Sequence, residues 1–449
     1  MKCYITQRIT KSFNLMKAFR CKSTNSSSTK SVYGSGLAAS GSLMWGSSMK
    51  LAASTPAMEL RKPTRINYCN SKNIHRVASG FGFSIFASNS KVFGGGIDIF
   101  SNDINSDGFW SHGRRIMLGS NDPSSDTIVD IAAGRRHFLI ATEKSLYAFG
   151  DNAHGQCGHD PALRTFLLPS EKRVHTVHVP SDAHIRQVHC TLDTSFVLLD
   201  SGEIFSFGLG TDGQLGRGVQ SFDWRCKLVE GDLKGVKIAS IRGSTDTLLA
   251  VSESGELFMW GQNEYAQMNP FSEEMQEGFA REIRFALPKI ANADSTATSC
   301  VLVTIDGDVF VWGYGILGQG PNISALSCPT ILAANLFSGG PGDNGRVKQV
   351  FAGNTSIFAI SMNENLFAWG VNRFSHLGLG HANDQYFPYQ VVLPSRPVQL
   401  IVEWKQKNRN PVWMFHDDLN SLHFVHFLIV YDIFQRMLHL LDDEYLIHL

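Results

Sequence analysis

The chain has 449 residues and balances 40 Lys and Arg against 40 Asp and Glu, with 43% of its residues hydrophobic. That neutrality excludes a protein that wraps nucleic acid by bulk charge, because such affinity is largely cation–phosphate attraction. The eight cysteines, Cys3, Cys21, Cys69, Cys157, Cys190, Cys226, Cys300 and Cys328, form no Cys-x-x-Cys pair, which excludes a zinc ribbon and gives no disulfide framework; they suit a reducing compartment as small buried residues.

Residues 1–30 read as a mitochondrial transit peptide. No Asp or Glu occurs before Glu59, and Lys2, Arg8, Lys11, Lys17, Arg20, Lys22 and Lys30 give the segment seven cations. Ile5, Ile9, Phe13, Met16 and Phe19 recur at spacings of four, four, three and three, along one face of a helix. Residues 23–31 are Ser, Thr, Asn and Lys. A basic, Ser-rich, acid-free and amphipathic leader without a long apolar core has the composition of a mitochondrial signal rather than a secretory one. A basic arm that binds RNA or anionic lipid is the alternative. Removal of residues 1–30 leaves 33 Lys and Arg against 40 Asp and Glu, a net charge of −7.

From Ser31 the chain repeats. An apolar residue and an aromatic run into a Gly at Val32-Tyr33-Gly34, Val92-Phe93-Gly94, Leu146-Tyr147-Ala148-Phe149-Gly150, Ile204-Phe205-Ser206-Phe207-Gly208, Leu257-Phe258-Met259-Trp260-Gly261, Val309-Phe310-Val311-Trp312-Gly313 and Leu366-Phe367-Ala368-Trp369-Gly370, with 52 to 60 residues between glycines. Upstream stands a small residue and a second apolar run, as in Gly134-Arg135-Arg136-His137-Phe138-Leu139-Ile140. Turns such as Ser201-Gly202, Ser254-Gly255 and Asp306-Gly307 join the two runs as antiparallel neighbours. Strand residues at such a period predict an all-β, seven-bladed β-propeller over residues 31–394.

The repeat resembles that of the regulator of chromosome condensation family. The match rests on Gly134-Arg135-Arg136-His137, on Gly255-Glu256-Leu257-Phe258-Met259-Trp260-Gly261 and on Gly213-Gln214-Leu215-Gly216. It implies that Gly134, His137, Gly150, Gly208, Trp260, Gly261, Trp312, Gly313, Trp369 and Gly370 are structural. Some copies depart from it. The fifth reads Ala266-Gln267-Met268-Asn269, and the sixth has Leu317-Gly318-Gln319-Gly320 and no clear Gly-x-x-His before Cys300. In the first, Leu43-Met44-Trp45-Gly46 competes with Val32-Tyr33-Gly34, and Ser40-Gly41-Ser42-Leu43, at the place of the family's Gly-x-Leu-Gly turn, favours the earlier choice.

Catalytic signatures are lacking. The sequence holds no Walker A loop, no Gly-x-Ser-x-Gly and no His-Glu-x-x-His, so neither catalytic residues nor a cofactor is expected. His175, His178, His184, His189 and Cys190 lie close in sequence, yet in a propeller they fall on different strands and loops, and no metal is expected. Arg61-Lys62 with Arg65, Arg114-Arg115 and Arg135-Arg136 are basic clusters whose ordinary reading is solvated surface. The segment from Asn102 to Asp126 reads as an irregular loop inserted in the second repeat. Its Trp110, Arg114 and Arg115 are the candidate partner contacts, since aromatic and Arg residues dominate binding hot spots; the alternative packs Trp110 on its own blade.

Beyond Pro394 the repeat signature stops. Residues 395–449 read as a divergent tail, with the last blade irregular or incomplete and ring closure in doubt; the apolar run from Leu422 is interrupted by His, Asp432 and Arg436, so no membrane span is expected.

The resemblance implies a binding disc that releases nucleotide from a GTPase without acid–base chemistry. Val32–Leu43 and His75–Phe83 look most like the mitochondrial exchange-factor-like members of the family. Those members imply a place in the matrix or at the inner membrane, exchange on the inner-membrane fusion GTPase, and assembly of the large mitochondrial ribosomal subunit with its assembly factors and ribosomal RNA. A non-catalytic scaffold for that RNA is the competing expectation. A fluorescent protein fused behind residues 1–35 should enter mitochondria; a cytosolic or nuclear signal in cell imaging would refute the leader.

Overall fold

The computed structural model describes residues 31–38, 41–44, 59–97, 109–118, 126–169, 175–269, 271–284, 286–394, 399–402 and 412–416. The N-terminal leader and residues 417–449 lie outside them. The described residues form seven antiparallel sheets and no α-helix. Each sheet is a blade, and the inner strands of the second to seventh blades touch in succession. Blade 4 is typical: Ile185–Cys190, Thr194–Leu199, Ile204–Leu209 and Phe222–Leu228 run outward in chain order. The second and third strands are mostly apolar and almost wholly buried, and the outer strand mixes buried with exposed residues. That pattern follows from stacking both faces of the middle strands against neighbouring blades while the outer edge meets water.

The third strand of every blade turns on a glycine with positive φ: Gly150 at +102°, Gly208 at +117°, Gly261 at +93°, Gly313 at +97° and Gly370 at +122°. A Cβ on Gly150 would stand 2.2 Å from the carbonyl oxygen of Arg136 in the inner-to-second turn, so both the dihedral and the close approach require glycine. In the first two blades the equivalent residues are Gly36 (+97°) and Gly96 (+111°), at the same ladder irregularity. The sequence reading placed this turn two residues early, at Gly34 and Gly94. Tyr33 and Phe93 therefore match Tyr147 and Phe205, and Ser35 and Gly95 stand where other blades have Phe or Trp. The choice of Val32-Tyr33-Gly34 over Leu43-Met44 for the strand holds, since Ser31–Leu37 is a strand and Gly41–Met44 a turn.

The aromatic before this glycine packs behind the loop of the preceding blade. Trp260 Nε1 donates to the Gln214 carbonyl (3.0 Å) and Trp312 Nε1 to that of Gln267 (2.6 Å). Where the aromatic is Phe207, which cannot donate, Ser195 Oγ supplies the hydrogen bond to the Gln156 carbonyl (2.7 Å). In blade 1, Ser35 Oγ donates to the matching His376 carbonyl (3.1 Å). Blade 6 breaks the series: five positions separate Gly313 from Gly318, against eight between Gly208 and Gly216, although Gly216 and Gly318 each abut the next blade's Trp Nε1. The shortened loop presents no such carbonyl, and buried Trp369 Nε1 has no partner among the described residues.

Polar side chains tie the inner strands together. Asp130 Oδ2 accepts from Val188 N (3.0 Å) and Asn292 Oδ1 from Val350 N (3.0 Å), while Gln187 Nε2 donates to Ile241 O (2.8 Å). His137 shares a 2.9 Å hydrogen bond with Ser195 Oγ of the next blade; because Ser195 already donates to Gln156, Nε2 of His137 is the donor.

The ring closes, a point the sequence leaves open. Gln399–Val402 and Val412–His416 pair with each other, and Val412–His416 pairs with Ser31–Leu37 in the register Val32↔Met414. Blade 1 thus takes its two inner strands from the C-terminal part of the chain and its two outer strands, Ser31–Leu37 and Glu59–Arg65, from the N-terminal part. The repeat signature fails there because strand pairing needs only a short extended run and not the Gly-x-x-His turn. Blade 7 also clasps blade 1 through Gly380 N donating to Arg61 O (2.8 Å) and through Ser375 Oγ donating to Glu59.

Two measurements test this account. Truncating a buried Trp costs several kcal/mol through the cavity alone, but Trp260→Phe and Trp312→Phe should each lose about 1–2 kcal/mol more than Trp369→Phe, because only they strand a buried carbonyl; urea unfolding of the three variants reads the difference. A chain stopped at Pro394 leaves the edge of Ser31–Leu37 bare and should aggregate or melt earlier than one stopped after His416; equal melting would show that the C-terminal strands do not close the ring.

Candidate partner-binding surface

Phe109–Ile116 is the outer strand of blade 2, paired with Val92–Ile97 in the register Phe93↔Arg115, Gly94↔Arg114 and Gly96↔Trp110. The loop expected over Asn102–Asp126 is therefore partly strand. Outer strands carry polar residues on their wet face, so Ser111-His112-Gly113-Arg114-Arg115 lacked the apolar pattern that marks the inner three. Arg114 and Arg115 are both exposed, and Trp110 sits at the far end of the same strand, across the ladder irregularity between Gly94 and Gly96.

The structure joins clusters that the sequence left apart. Gly113 lies against Tyr68, whose ring would stand 2.2 Å from an added Cβ, and Tyr68 belongs to the connection that follows Arg65 from blade 1 to blade 2. Lys72 Nζ lies 3.7 Å from the Tyr68 ring centroid and donates to the Tyr68 carbonyl (2.8 Å). Tyr68 in turn meets Phe93 edge-on at 6.1 Å. Burial pushes the Tyr68 hydroxyl up to about 12, with Cys69 adding to the rise, so it brings no negative charge to the rim. Arg61, Lys62 and Arg65 are exposed on the outer strand Glu59–Arg65, where Glu59 lies 3.7 Å from Arg61. The outer strands of blades 1 and 2 carry Arg61, Lys62, Arg65, Arg114 and Arg115, and Lys72 stands in the connection between them, so the outer edge of these two blades is a basic rim. Neither Tyr68 nor Lys72 carried a signal in the sequence, because what recruits them is a contact between blades.

Other charged groups are engaged internally. Arg135 pairs with Asp193 of the next blade, which accounts for the Arg in that turn. Burial raises the Asp193 carboxyl and Arg135 opposes the rise. On blade 4, burial works against ionisation of Asp223, but hydrogen bonds from Arg225, Lys227 and Arg217 outweigh it and hold the carboxyl well below the usual carboxylate range.

The histidine run does not converge. His175 is buried against Phe149 and His159, His178 and His184 are exposed, and His189 Nε2 lies 2.9 Å from the Gly243 carbonyl. Among the described residues no group of three His, Cys, Asp or Glu could hold a metal ion, and no helix is long and apolar enough to cross a membrane. Burial drives the Cys157 and Cys300 thiols well up and Cys226 to about 12, leaving them protonated and unreactive near neutral pH.

Residues 128–156 match the model of the regulator of chromosome condensation (RCC1) repeat. A human relative, the RCC1-like G exchanging factor-like protein, is 32% identical over 351 residues, covering 73% of this chain and 74% of the relative. The crystal structure of human WBSCR16 superposes with a TM-score of 0.77 at 28% identity, covering 86% of this chain and all of that one. Prp20p from Saccharomyces cerevisiae, at 18% identity and a TM-score of 0.68, covers 93% of this chain and shares its fold. With the positive-φ glycine and the inter-blade aromatic repeated around a closed seven-bladed ring, the chain belongs to the family of RCC1-like G exchanging factor-like proteins.

Proposed function

We propose that this protein binds a GTPase and promotes release of its guanine nucleotide, in the mitochondrial matrix or at the inner membrane, with the basic rim of blades 1 and 2 as the partner surface. The observation that carries this reading is the 32% identity, over about three quarters of both chains, to a protein named as a G exchanging factor-like protein. Prp20p, of the same fold, is described with binding properties toward Gsp1p and histones. Exchange requires no nucleophile or general base: the factor has only to bind the nucleotide-free state better than the loaded one. A disc held rigid by inter-blade hydrogen bonds, with exposed Arg114 and Arg115 on its rim, can provide such binding. Within this reading the inner-membrane fusion GTPase and the GTPases of large-subunit ribosome assembly are the substrates of choice, and ribosome assembly factors are further partners.

The six cations of the rim favour a second reading, a non-catalytic scaffold that touches ribosomal RNA there. The two separate on one assay. Residues 31–449 added to GTPases loaded with a fluorescent GDP should accelerate release, and Arg114→Glu/Arg115→Glu should abolish the acceleration while melting normally. No acceleration on any of the mitochondrial GTPases, combined with binding of ribosomal RNA that the same double variant removes, would replace exchange by the scaffold.

A further inference from the structure

A second surface lies on the face of blades 5 and 6 that carries their third-to-outer loops. In blade 5, Asn263 closes the loop: its Nδ2 donates to the Ser272 and Glu274 carbonyls, its Oδ1 accepts from Met268 N, and its own N donates to Met275 O. A neck tied this tightly holds the loop's outward side chains in place. Those side chains are apolar. Tyr265 is 39% exposed, Phe271 42% and Met275 62%. The shortened loop of blade 6 leaves Tyr314 52% exposed beside them, and the Tyr265 and Tyr314 rings stack across the two blades at 6.3 Å and 22°. Four large apolar side chains kept in water around a tied loop mark a binding surface rather than scattered exposure.

Its charge is one-sided. Between Gln262 and Gln276 the chain holds Glu264, Glu273 and Glu274 and no Lys or Arg, and residues 313–325 hold no charged residue at all. The three Glu side chains are exposed, and none is ion-paired among the described residues. Stacked tyrosine faces beside carboxylates attract a cation through ring quadrupole and Coulomb terms together, whereas a nucleic acid or an anionic lipid would be repelled.

We propose that this face docks a segment of a partner protein that carries Lys or Arg next to an aliphatic or aromatic anchor, the cation over Tyr265 and Tyr314 and the anchor between Phe271 and Met275. It stands apart from the basic rim and does not depend on the exchange reading. The test uses residues 31–449 and two labelled amphipathic peptides, one of Leu and Lys and one of Leu and Glu, read by fluorescence anisotropy. The Lys peptide should bind and the Glu peptide should not, with affinity falling as salt rises. Glu273→Lys/Glu274→Lys and Tyr265→Ser/Tyr314→Ser should each weaken binding about tenfold or more, as for interface anchors, at unchanged melting temperature. Glu143→Lys/Glu203→Lys, on exposed hairpins between second and third strands, should change it less than about twofold, as expected of charges outside the contact. Absence of Lys-peptide binding, or equal losses in the site and control variants, would overturn the proposal. If the tyrosine variant fails to fold, the glutamate variant decides alone.

Discussion

A backbone carbonyl buried at the joint between blades organises this ring. Leaving such a group unsatisfied costs about 1–3 kcal/mol, and blades 1, 4, 5 and 6 each supply a donor to the blade before them. Trp260 and Trp312 do so with an indole N–H, Ser35 with a hydroxyl at the same register, and Ser195 from the neighbouring strand where Phe207 has nothing to donate. Two kinds of side chain, Trp and Ser, meet one requirement, which explains why the aromatic signature decays in some blades while the geometry persists. Blade 6 has lost the loop that bears the carbonyl, and there the donor, Trp369, is left over.

Closure depends on the same joint. Blade 7 meets blade 1 through the His376 carbonyl and Ser35, and the Gly380–Arg61 hydrogen bond repeats the latch made by Gly218 N on Gly278 O and Gly320 N on Tyr386 O. The seam where the two ends of the chain meet is therefore built like the other joints, with the added pairing of Val412–His416 onto Ser31–Leu37. Because one sheet is shared between distant parts of the chain, the edge of Ser31–Leu37 that would otherwise be bare is paired.

A disc built this way offers rigid outer surfaces. Its basic rim on blades 1 and 2 and its acidic, aromatic face on blades 5 and 6 are opposite in chemistry and separated around the ring. Such an arrangement suits a protein that holds macromolecules, and it is consistent with exchange through binding energy alone.

The repeat, the all-β class and the count of blades were legible in the sequence because a glycine at positive φ and an aromatic ahead of it are local demands, written at nearly every third strand. Even so, the local pattern misplaced Gly34 and Gly94 for Gly36 and Gly96, since an aromatic followed by Gly occurs there by coincidence of the strand's second apolar position. Trp110, Arg114 and Arg115 could be named from residue type, but their place on an outer strand could not, because edge strands face water and lose the apolar alternation. The pairing of Val412–His416 with Ser31–Leu37, the seat of Tyr68 against Gly113, and the stack of Tyr265 on Tyr314 are contacts between residues far apart in the chain. Such contacts arise only when blades stack and the ring closes, and no local preference encodes them.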